Sequence, residues 1–452
     1  MKKIIVPIGL SLLSLTGFSQ VGHVMQGIGA VNMSMGGAAT GQALDISGAL
    51  QWNPASISAF DETSVKLDIG LFFATPELSS SLPENFMWPG APAVSGTTTD
   101  DKGASVMPAL AMVWGKEGSK HTFGASVFGV SGFGVVFNQE TNAPLDAAGN
   151  PNPNFNPTIN SNPINYPQAA GGFGQVESDY MLLQIGFTYA YSITDQLSIG
   201  IEPTIDYGSL RLVPNPTANP NQTGYPNTES TGSIGFGGQV GLYFDSGKGF
   251  KAGVSYKTEQ FMGEMEFDNV YPDNSTATSA FTMNYPGIFS VGVGYSNDKF
   301  DLAVDYRNVG YKNTDGFEKS GWTTTGSVAG FGWENMDVIS AGIQYKGIDK
   351  LPIRLGYTYS SNPITEELAF YSVSAPAVVK NAFQIGLSYE INDKMAIDGL
   401  YHMGFSGDGL TGLMLSPMAA TPDNPLGEMQ GTSVSYTMNT SLIMLGFSYK
   451  LN

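Results

Sequence analysis

Apolar and polar side chains alternate with a period of two in several short stretches of this chain. Residues 65–71 read VKLDIGL, and the same alternation returns in FDLAVDYR at 300–307 and in IMLGFSY at 443–449. Aliphatic and aromatic residues occupy one parity, whereas charged residues and glycine occupy the other. Because neighbouring side chains of a strand point to opposite faces, this pattern predicts β-strands with one apolar and one polar face.

Stretches of this kind predict about fourteen strands, joined by connections of two lengths. The predicted strands are residues 63–74, 105–114, 120–130, 179–191, 196–212, 232–245, 249–259, 281–296, 299–312, 336–346, 352–361, 381–391, 395–405 and 437–451. Short turns at 115–120, 192–196, 245–249, 296–299, 346–350 and 391–394 alternate with long loops at 75–104, 131–178, 213–231, 260–280, 313–335, 362–380 and 406–436. Barrels of bacterial outer membranes have short periplasmic turns and long extracellular loops.

Aromatic residues mark the predicted strand ends beside the short turns. They are Trp114, Tyr191, Phe244, Tyr295, Tyr345 and Tyr389. Outer-membrane barrels carry such girdles at the membrane interfaces. A secreted β-sandwich would explain the alternation but not the asymmetry of the loops. We therefore expect an all-β fold, a 14-stranded antiparallel transmembrane β-barrel with both chain ends on the periplasmic side.

Composition and the first twenty residues indicate export. Residues 1–20 begin with Lys2 and Lys3, continue through an apolar run and end in small or polar residues, which predicts a signal peptide cleaved near Ser19 or Gln20 rather than a buried N-terminal helix. The chain has no cysteine, and its net charge of -19 disfavours a nucleic-acid partner. Export without disulfides points to the outer membrane of a Gram-negative bacterium.

The segment between the signal peptide and the first predicted strand does not alternate. Residues 21–62 are rich in glycine, alanine and methionine, and they include a possible helical turn at 45–50 and the turn formed by Asn53, Pro54 and Ala55. A barrel of this strand number encloses a lumen that leaks unless something fills it. We therefore divide the chain into a signal peptide (1–20), an N-terminal hatch that plugs the lumen (21–62) and the transmembrane barrel (63–452).

The sequence of this segment resembles the FadL/TodX family of outer-membrane transporters of long-chain fatty acids and aromatic hydrocarbons. The resemblance lies in GIGAVNMSMGGAATGQALDISGALQWNPASIS at 27–58, which is similar to the family's hatch and its Asn-Pro-Ala motif, and it is supported by RLGYTYSSNP at 354–363 and VGVGYSND at 291–298. The resemblance implies a monomeric barrel in which substrate captured by the loops passes to a lumenal pocket. It then leaves sideways into the membrane where the third strand kinks.

The resemblance assigns candidate positions in this sequence. Asn53, Pro54 and Ala55 match the hatch motif. The third strand is predicted from His121 to Val130, and Gly129, Gly132 and Gly134 near its end are the candidates for the kink because glycine relaxes strand geometry. The alternative is that these are ordinary lumenal or loop glycines. The chain ends in Tyr-Lys-Leu-Asn rather than on an aromatic residue, a departure from many outer-membrane barrels.

Arg307 and Arg354 are the candidate lumenal ligand contacts. Their parity places both on the polar face of their strands. An arginine offers a charge-assisted fork to a substrate carboxylate. The alternative is that each pairs with a lumenal acid such as Asp301, Asp305 or Glu202, because an unpaired buried guanidinium is costly.

No constellation of residues predicts catalysis, a metal site or a cofactor. The three histidines, His23, His121 and His402, are far apart, and the chain has no nucleophile elbow, zinc-binding helix or phosphate-binding loop. The sequence thus predicts a passive transporter, not an enzyme, that carries a hydrophobic small molecule, foremost a long-chain fatty acid, into the outer-membrane lipid. The alternatives are a scaffold subunit of a protein secretion system and a general diffusion porin.

Overall fold

In a computed structural model that describes residues 22–451, the chain forms a closed barrel of fourteen antiparallel strands. The wall strands are β1 (Ser64–Leu82), β2 (Ala104–Trp114), β3 (His121–Phe137), β4 (Val176–Ser192), β5 (Leu197–Val213), β6 (Thr231–Asp245), β7 (Phe250–Lys257), β8 (Ile288–Ser296), β9 (Phe300–Val309), β10 (Met336–Tyr345), β11 (Ile353–Ser360), β12 (Asn381–Asn392), β13 (Met395–Phe405) and β14 (Ser433–Lys450). Each pairs with its sequence neighbours, and β1 closes the barrel on β14 with Ser64 opposite Lys450. The predicted fold class is confirmed. The predicted signal peptide lies outside the described residues.

The outer face of the barrel is apolar and the inner face is polar. On β1, Leu67 and Ile69 are 46% and 50% exposed, whereas Lys66 and Asp68 on the opposite parity are buried. The same alternation runs along most wall strands. In a lipid bilayer the exposed aliphatic and aromatic side chains face hydrocarbon, and the closed sheet satisfies the backbone hydrogen bonds.

Two parts of the structure differ from the predicted strands. β1 and β3 continue to Leu82 and Phe137, well past their predicted ends, because β1 stays paired with β14 and β3 with β4 over these extensions. The strand predicted at 281–296 begins only at Ile288, since Pro286 has no N–H to donate to a ladder. The preceding loop instead contains a hairpin of Met265–Val270 and Thr276–Phe281.

The remaining short elements lie in the loops. These are the strands Val94–Thr99, Asn227–Thr228, Phe261–Met262 and Leu410–Gly412, and the 3-10 turns Pro163–Asn165, Gln168–Ala170, Tyr311–Asn313, Glu366–Ser372 and Pro417–Ala419. The loops at this end of the barrel are long, whereas the opposite end has only short turns. Within residues 22–451, no helix is long and apolar enough to cross a lipid bilayer.

Residues 22–60, which we call the lumenal segment, lie inside the barrel. They form α1 (Ala30–Ser34), α2 (Ile46–Trp52) and the 3-10 turn Pro54–Ala59. Nearly all of residues 22–57 are buried, and the segment contacts strands on several sides of the wall. The segment therefore fills part of the lumen. The division of the chain at residue 62 and the role of this segment as a hatch both stay predictions.

Candidate functional site

Asn53, Pro54 and Ala55 lie where the lumenal segment meets the wall. Asn53 ends α2, and Pro54 opens the following 3-10 turn, where its missing N–H has no cost. The Asn53 side chain accepts a hydrogen bond from the Ala55 N–H at 3.1 Å. Its Nδ2 donates to the carbonyls of Thr40 at 2.8 Å and Leu242 at 3.0 Å. One amide thus joins two parts of the segment to β6.

The wall provides glycine where this turn comes closest. A Cβ atom on Gly241 would lie 2.1 Å from Oδ1 of Asn53. A Cβ atom on Gly253 of β7 would lie 1.9 Å from the Thr40 carbonyl oxygen. Both distances are far below van der Waals contact, so any side chain larger than a hydrogen at these positions would displace the segment.

Arg307 of β9 projects from the wall and contacts the lumenal segment. It is buried, and its guanidinium carbon lies 3.6 Å from the centroid of the Trp52 ring, in a cation–π contact. Nη2 pairs with Asp305 at 3.0 Å and also donates to the Gly37 carbonyl, while Nη1 donates to the Gln26 carbonyl at 3.4 Å. Arg307 therefore has an acid partner on its own strand, and whether it also meets a ligand stays a prediction.

Wall carboxylates accept backbone N–H groups of the lumenal segment. Oδ2 of Asp305 accepts from Ala39 and Thr40, each at 2.8 Å. Oδ1 of Asp68 accepts from Ala30 at 2.9 Å, at the start of α1. Hydrogen bonds to ionised acceptors are about twice as strong as neutral ones. These contacts hold the segment on two sides of the barrel.

A third set of charges ties α2 to the wall. Asp45 caps α2 through its Oδ1, which accepts from Gly48 at 3.0 Å. Its Oδ2 lies 2.9 Å from Nζ of Lys66, which also contacts Asp398 at 2.8 Å. Lys66 therefore bridges the segment to both β1 and β13.

Arg354 lines a cavity of about 520 Å³ at the short-turn end of the barrel. Its Nε donates to Gln344 at 2.6 Å and its Nη2 to Ser388 at 2.6 Å, while Nη1 has no hydrogen-bond partner within the described part of the chain. The Ser388 hydroxyl in turn donates to Asp398. A ligand role for Arg354 stays a prediction.

β3 parts from β2, but stays paired with β4, at the position of the three candidate glycines. It pairs with β2 only through residues 123–128, and its register with β4 shifts between Gly129 and Ser131. Residues 128–133 are all buried, so the inside–outside alternation is lost there. Gly132 and Gly134 lie just beyond the shift.

The lumenal segment replaces β2 as the partner of β3 in this region. The N–H of Met25 donates to the Val130 carbonyl at 3.0 Å, and the N–H of Gly132 donates to the His23 carbonyl at 3.0 Å. The Ser131 hydroxyl donates to the same His23 carbonyl at 2.8 Å. The start of the segment therefore covers the interrupted edge between β2 and β3.

An aromatic cluster surrounds His23 at this point. Six rings have centroids within 6.4 Å of the imidazole, namely Phe133, Tyr180, Tyr285, Tyr311, Phe317 and Trp333, and Phe331 packs behind them. We call His23 and these seven residues the inner aromatic cluster. Sequence reasoning missed it because the rings come from separate segments with no common spacing.

An apolar groove lies among the long loops at one end of the barrel. It encloses about 850 Å³ and is lined by side chains that include Trp88, Tyr166, Phe173, Trp322, Phe370 and Met418. Met418 is 95% exposed. Trp322 belongs to the same loop as Phe317 and Phe331 of the inner aromatic cluster. We call this cavity the outer groove.

The barrel interior carries an excess of negative charge. The buried acids are Asp45, Asp68, Glu202, Asp206, Asp301, Asp305 and Asp398, and the buried cations are Lys66, Lys257, Arg307 and Arg354. Seven carboxylates against four cations leave a formal balance of -3 for these residues. No group of three or more His, Asp or Glu side chains within residues 22–451 could hold a metal ion.

The fold and the filled lumen define a class, the outer-membrane transport channels. A family model described as outer membrane protein transport protein (OMPP1/FadL/TodX) matches residues 163–409, more than half of the chain. The chain belongs to this family, whose members are transport channels and not enzymes. It is an outer-membrane transporter of hydrophobic compounds.

Solved structures share the whole fold. The toluene transporter TodX of P. putida is 16% identical, with a TM-score of 0.65 over 94% of this chain and 99% of that one. A FadL homologue of Pseudomonas aeruginosa is 13% identical, with a TM-score of 0.69 over 95% and 100%. The toluene transporter TbuX of Ralstonia pickettii is 16% identical, with a TM-score of 0.62 over 94% and 99%. No curated protein sequence matches the chain.

Proposed function

We propose that this protein, acting as a monomer, carries neutral hydrophobic molecules passively across the outer membrane. The outer groove captures the molecule, and the inner aromatic cluster receives it. The lumenal segment serves as a hatch whose rearrangement opens the edge between β2 and β3. The molecule then leaves sideways into the lipid. No energy source or cofactor takes part.

The contact between the lumenal segment and β3 carries this proposal. The backbone of residues 23–25 occupies the edge that β2 leaves unpaired, and the side chain of His23 lies in the aromatic cluster. A molecule that enters the cluster must therefore disturb the same residues that cover the edge. This links binding to opening without any further moving part.

The buried charges bear on the choice of cargo. The sequence predicts a long-chain fatty acid, which is an anion at neutral pH. An interior with three more acids than bases repels an anion, and each buried cation already contacts an acceptor, as Lys257 does with Gln184 at 2.8 Å. We therefore favour a neutral cargo such as a monoaromatic hydrocarbon, the class named for several structurally similar channels.

Uptake by cells that lack their own transporter of this class tests the proposal. Labelled alkylbenzene and labelled long-chain fatty acid are offered in parallel to cells with and without the protein. We expect protein-dependent uptake of the alkylbenzene. We also expect reduced uptake with Asn53→Ala and Pro54→Ala at equal surface expression. Uptake of the fatty acid alone would instead support a long-chain fatty acid as the cargo, as the sequence predicts. Uptake of neither by a correctly inserted barrel would reject hydrophobic transport.

A further inference from the structure

We propose that the inner aromatic cluster selects neutral aromatic molecules that carry a hydrogen-bond-accepting oxygen, such as phenols, and that Nε2 of His23 is the group that recognises the oxygen. This inference rests on the proposed transport of neutral hydrophobic molecules and adds a chemical class to it. The observation behind it is an unpaired ring nitrogen at the centre of a buried aromatic cluster.

His23 is completely buried, yet one of its ring nitrogens has no partner. Nδ1 lies 2.8 Å from the Tyr311 hydroxyl oxygen, whereas Nε2 has no hydrogen-bond partner within residues 22–451. Burial lowers the pKa of His23 to about 3, so the ring is neutral at physiological pH and carries a single N–H. A buried polar group without a partner is costly, so this nitrogen calls for a partner such as a ligand atom or an ordered water.

The surrounding hydrogen bonds place the single proton on Nε2. The Tyr311 hydroxyl oxygen already accepts a hydrogen bond from the backbone N–H of His23 at 3.2 Å. Within residues 22–451 the Tyr311 O–H has no acceptor other than Nδ1, so we assign its proton to that bond and the imidazole proton to Nε2. The unpaired atom is then a donor, which requires an acceptor oxygen on its ligand. A hydrocarbon has no such atom.

An aromatic ligand enters the cluster by taking the place of one of its own rings. Phe317 stacks on the His23 imidazole with 4.7 Å between centroids and 25° between planes, and Phe331 stacks on Phe317 at 5.4 Å and 24°. Both phenylalanines belong to the loop between β9 and β10, which also carries Trp322 of the outer groove. An aromatic ligand arriving from the groove replaces one ring of this stack when the loop moves.

A second polar atom favours a hydroxyl on the ligand. The Tyr285 ring lies 6.0 Å from His23, and its hydroxyl is also buried without a partner in the described structure. A phenol oxygen accepts from Nε2, and the phenol O–H has a partner in Tyr285. A carboxylate would satisfy the same donor, but it would enter an interior that already has an excess of buried acids.

Binding to the purified full-length protein in lipid nanodiscs tests this assignment. Equilibrium dialysis measures butylbenzene, 4-butylphenol and 4-butylbenzoate, each corrected for partition into nanodiscs without protein. We expect 4-butylphenol to bind about two- to tenfold tighter than butylbenzene, the range of one neutral hydrogen bond, and the benzoate to bind weakest. Equal binding of phenol and hydrocarbon, or tightest binding of the benzoate, overturns the assignment.

Substitutions at two residues separate recognition from packing. His23→Phe keeps the stacked ring but removes Nε2, so the ratio of phenol to hydrocarbon affinity falls to about one as the hydrogen bond is lost. Tyr311→Phe keeps Nε2 but removes the hydroxyl that fixes the imidazole proton there, so it keeps part of the preference. His23→Gln restores an N–H donor and part of the ratio. Loss of the preference in Tyr311→Phe as well, or its survival in His23→Phe, refutes the role of Nε2.

The binding of butylbenzene distinguishes a failure of the proposed phenol selectivity from a failure of the proposed transport function. If butylbenzene binds but 4-butylphenol has no advantage that depends on His23, only the selectivity is wrong. If no ligand binds above protein-free nanodiscs, the proposed transport of neutral hydrophobic molecules fails together with it.

Discussion

Removal of the Asp305 carboxylate is expected to release the lumenal segment from the barrel wall. Asp305 is 1% exposed, and its Oδ2 accepts two backbone N–H groups of the segment while it pairs with Arg307. Asp305→Ala leaves both N–H groups and the guanidinium without their acid. The carboxylate belongs to the wall, so the substitution leaves the sequence of the segment unchanged.

The expected cost follows from these contacts. Asp305 contacts the segment through two N–H groups, and a hydrogen bond to a charged acceptor contributes about 1.5–3 kcal/mol, so the loss of both costs the docked state about 3–6 kcal/mol. Undocking relieves part of this cost because the freed groups then reach water. The lower bound of about 3 kcal/mol shifts the equilibrium between docked and undocked segment by roughly 100-fold.

Ion conductance across planar lipid bilayers reports the docked state directly. The unmodified barrel is expected to conduct poorly, and Asp305→Ala is expected to open long-lived conducting states. Glu334→Ala serves as the control, because it breaks an ion pair of similar length, 2.7 Å to Lys312, that is half exposed and outside the lumen. In the double variant with Arg307→Met the segment also loses the contacts of the guanidinium with Trp52, Gly37 and Gln26, so conductance is expected to rise further. Equal conductance of Asp305→Ala and Glu334→Ala would refute the reasoning.

Three further predictions concern the segment, the cluster and the groove. Gly253→Val should raise conductance, because its Cβ would clash with the Thr40 carbonyl. Gly399→Val, whose side chain would meet open space on the outer face of β13, should leave conductance unchanged, and equal conductance of the two variants would contradict the close approach. Burial lowers the pKa of His23 from 6.5 to about 3 in the folded protein, so its contribution to stability is full above pH 6.5 and declines as the pH falls towards 3. Over this range the melting temperature of the unmodified protein should drop more than that of His23→Phe. Parallel melting curves of the two proteins would argue against a neutral buried ring. Trp322→Ala should lower the rate of alkylbenzene uptake about tenfold, because aromatic contacts in the outer groove contribute about 1 to 1.5 kcal/mol to capture. An unchanged rate would show that the transported molecule does not pass through the outer groove.

The barrel wall could be predicted from sequence because lipid imposes a strict pattern on it. Each wall strand must show apolar side chains to hydrocarbon on alternate positions, and this period is local and visible in seven or eight residues. The sequence also offered Asp305 as a partner of Arg307, as an alternative to a ligand, because the two residues lie on the same face of one strand two positions apart. The family model and the hatch motif add independent support, because residues 163–409 do not include Asn53, Pro54 and Ala55.

The candidate site could be predicted only in part, because its contacts join distant segments. β3 continues to Phe137, but residues 128–133 are buried on both faces, so no alternation marks that part of the strand. The partner of His23 is Tyr311, which lies 288 residues away, and the rings around them share no spacing. His23 was visible only as one of three scattered histidines.

The most direct test of the central claim is the flux of a labelled alkylbenzene through the purified protein in vesicles whose outer leaflet is lipopolysaccharide. The account predicts saturable, protein-dependent flux without any energy source, together with low ion conductance of the same preparation. Flux equal to that of protein-free vesicles, from a barrel shown to be inserted and folded, would contradict it.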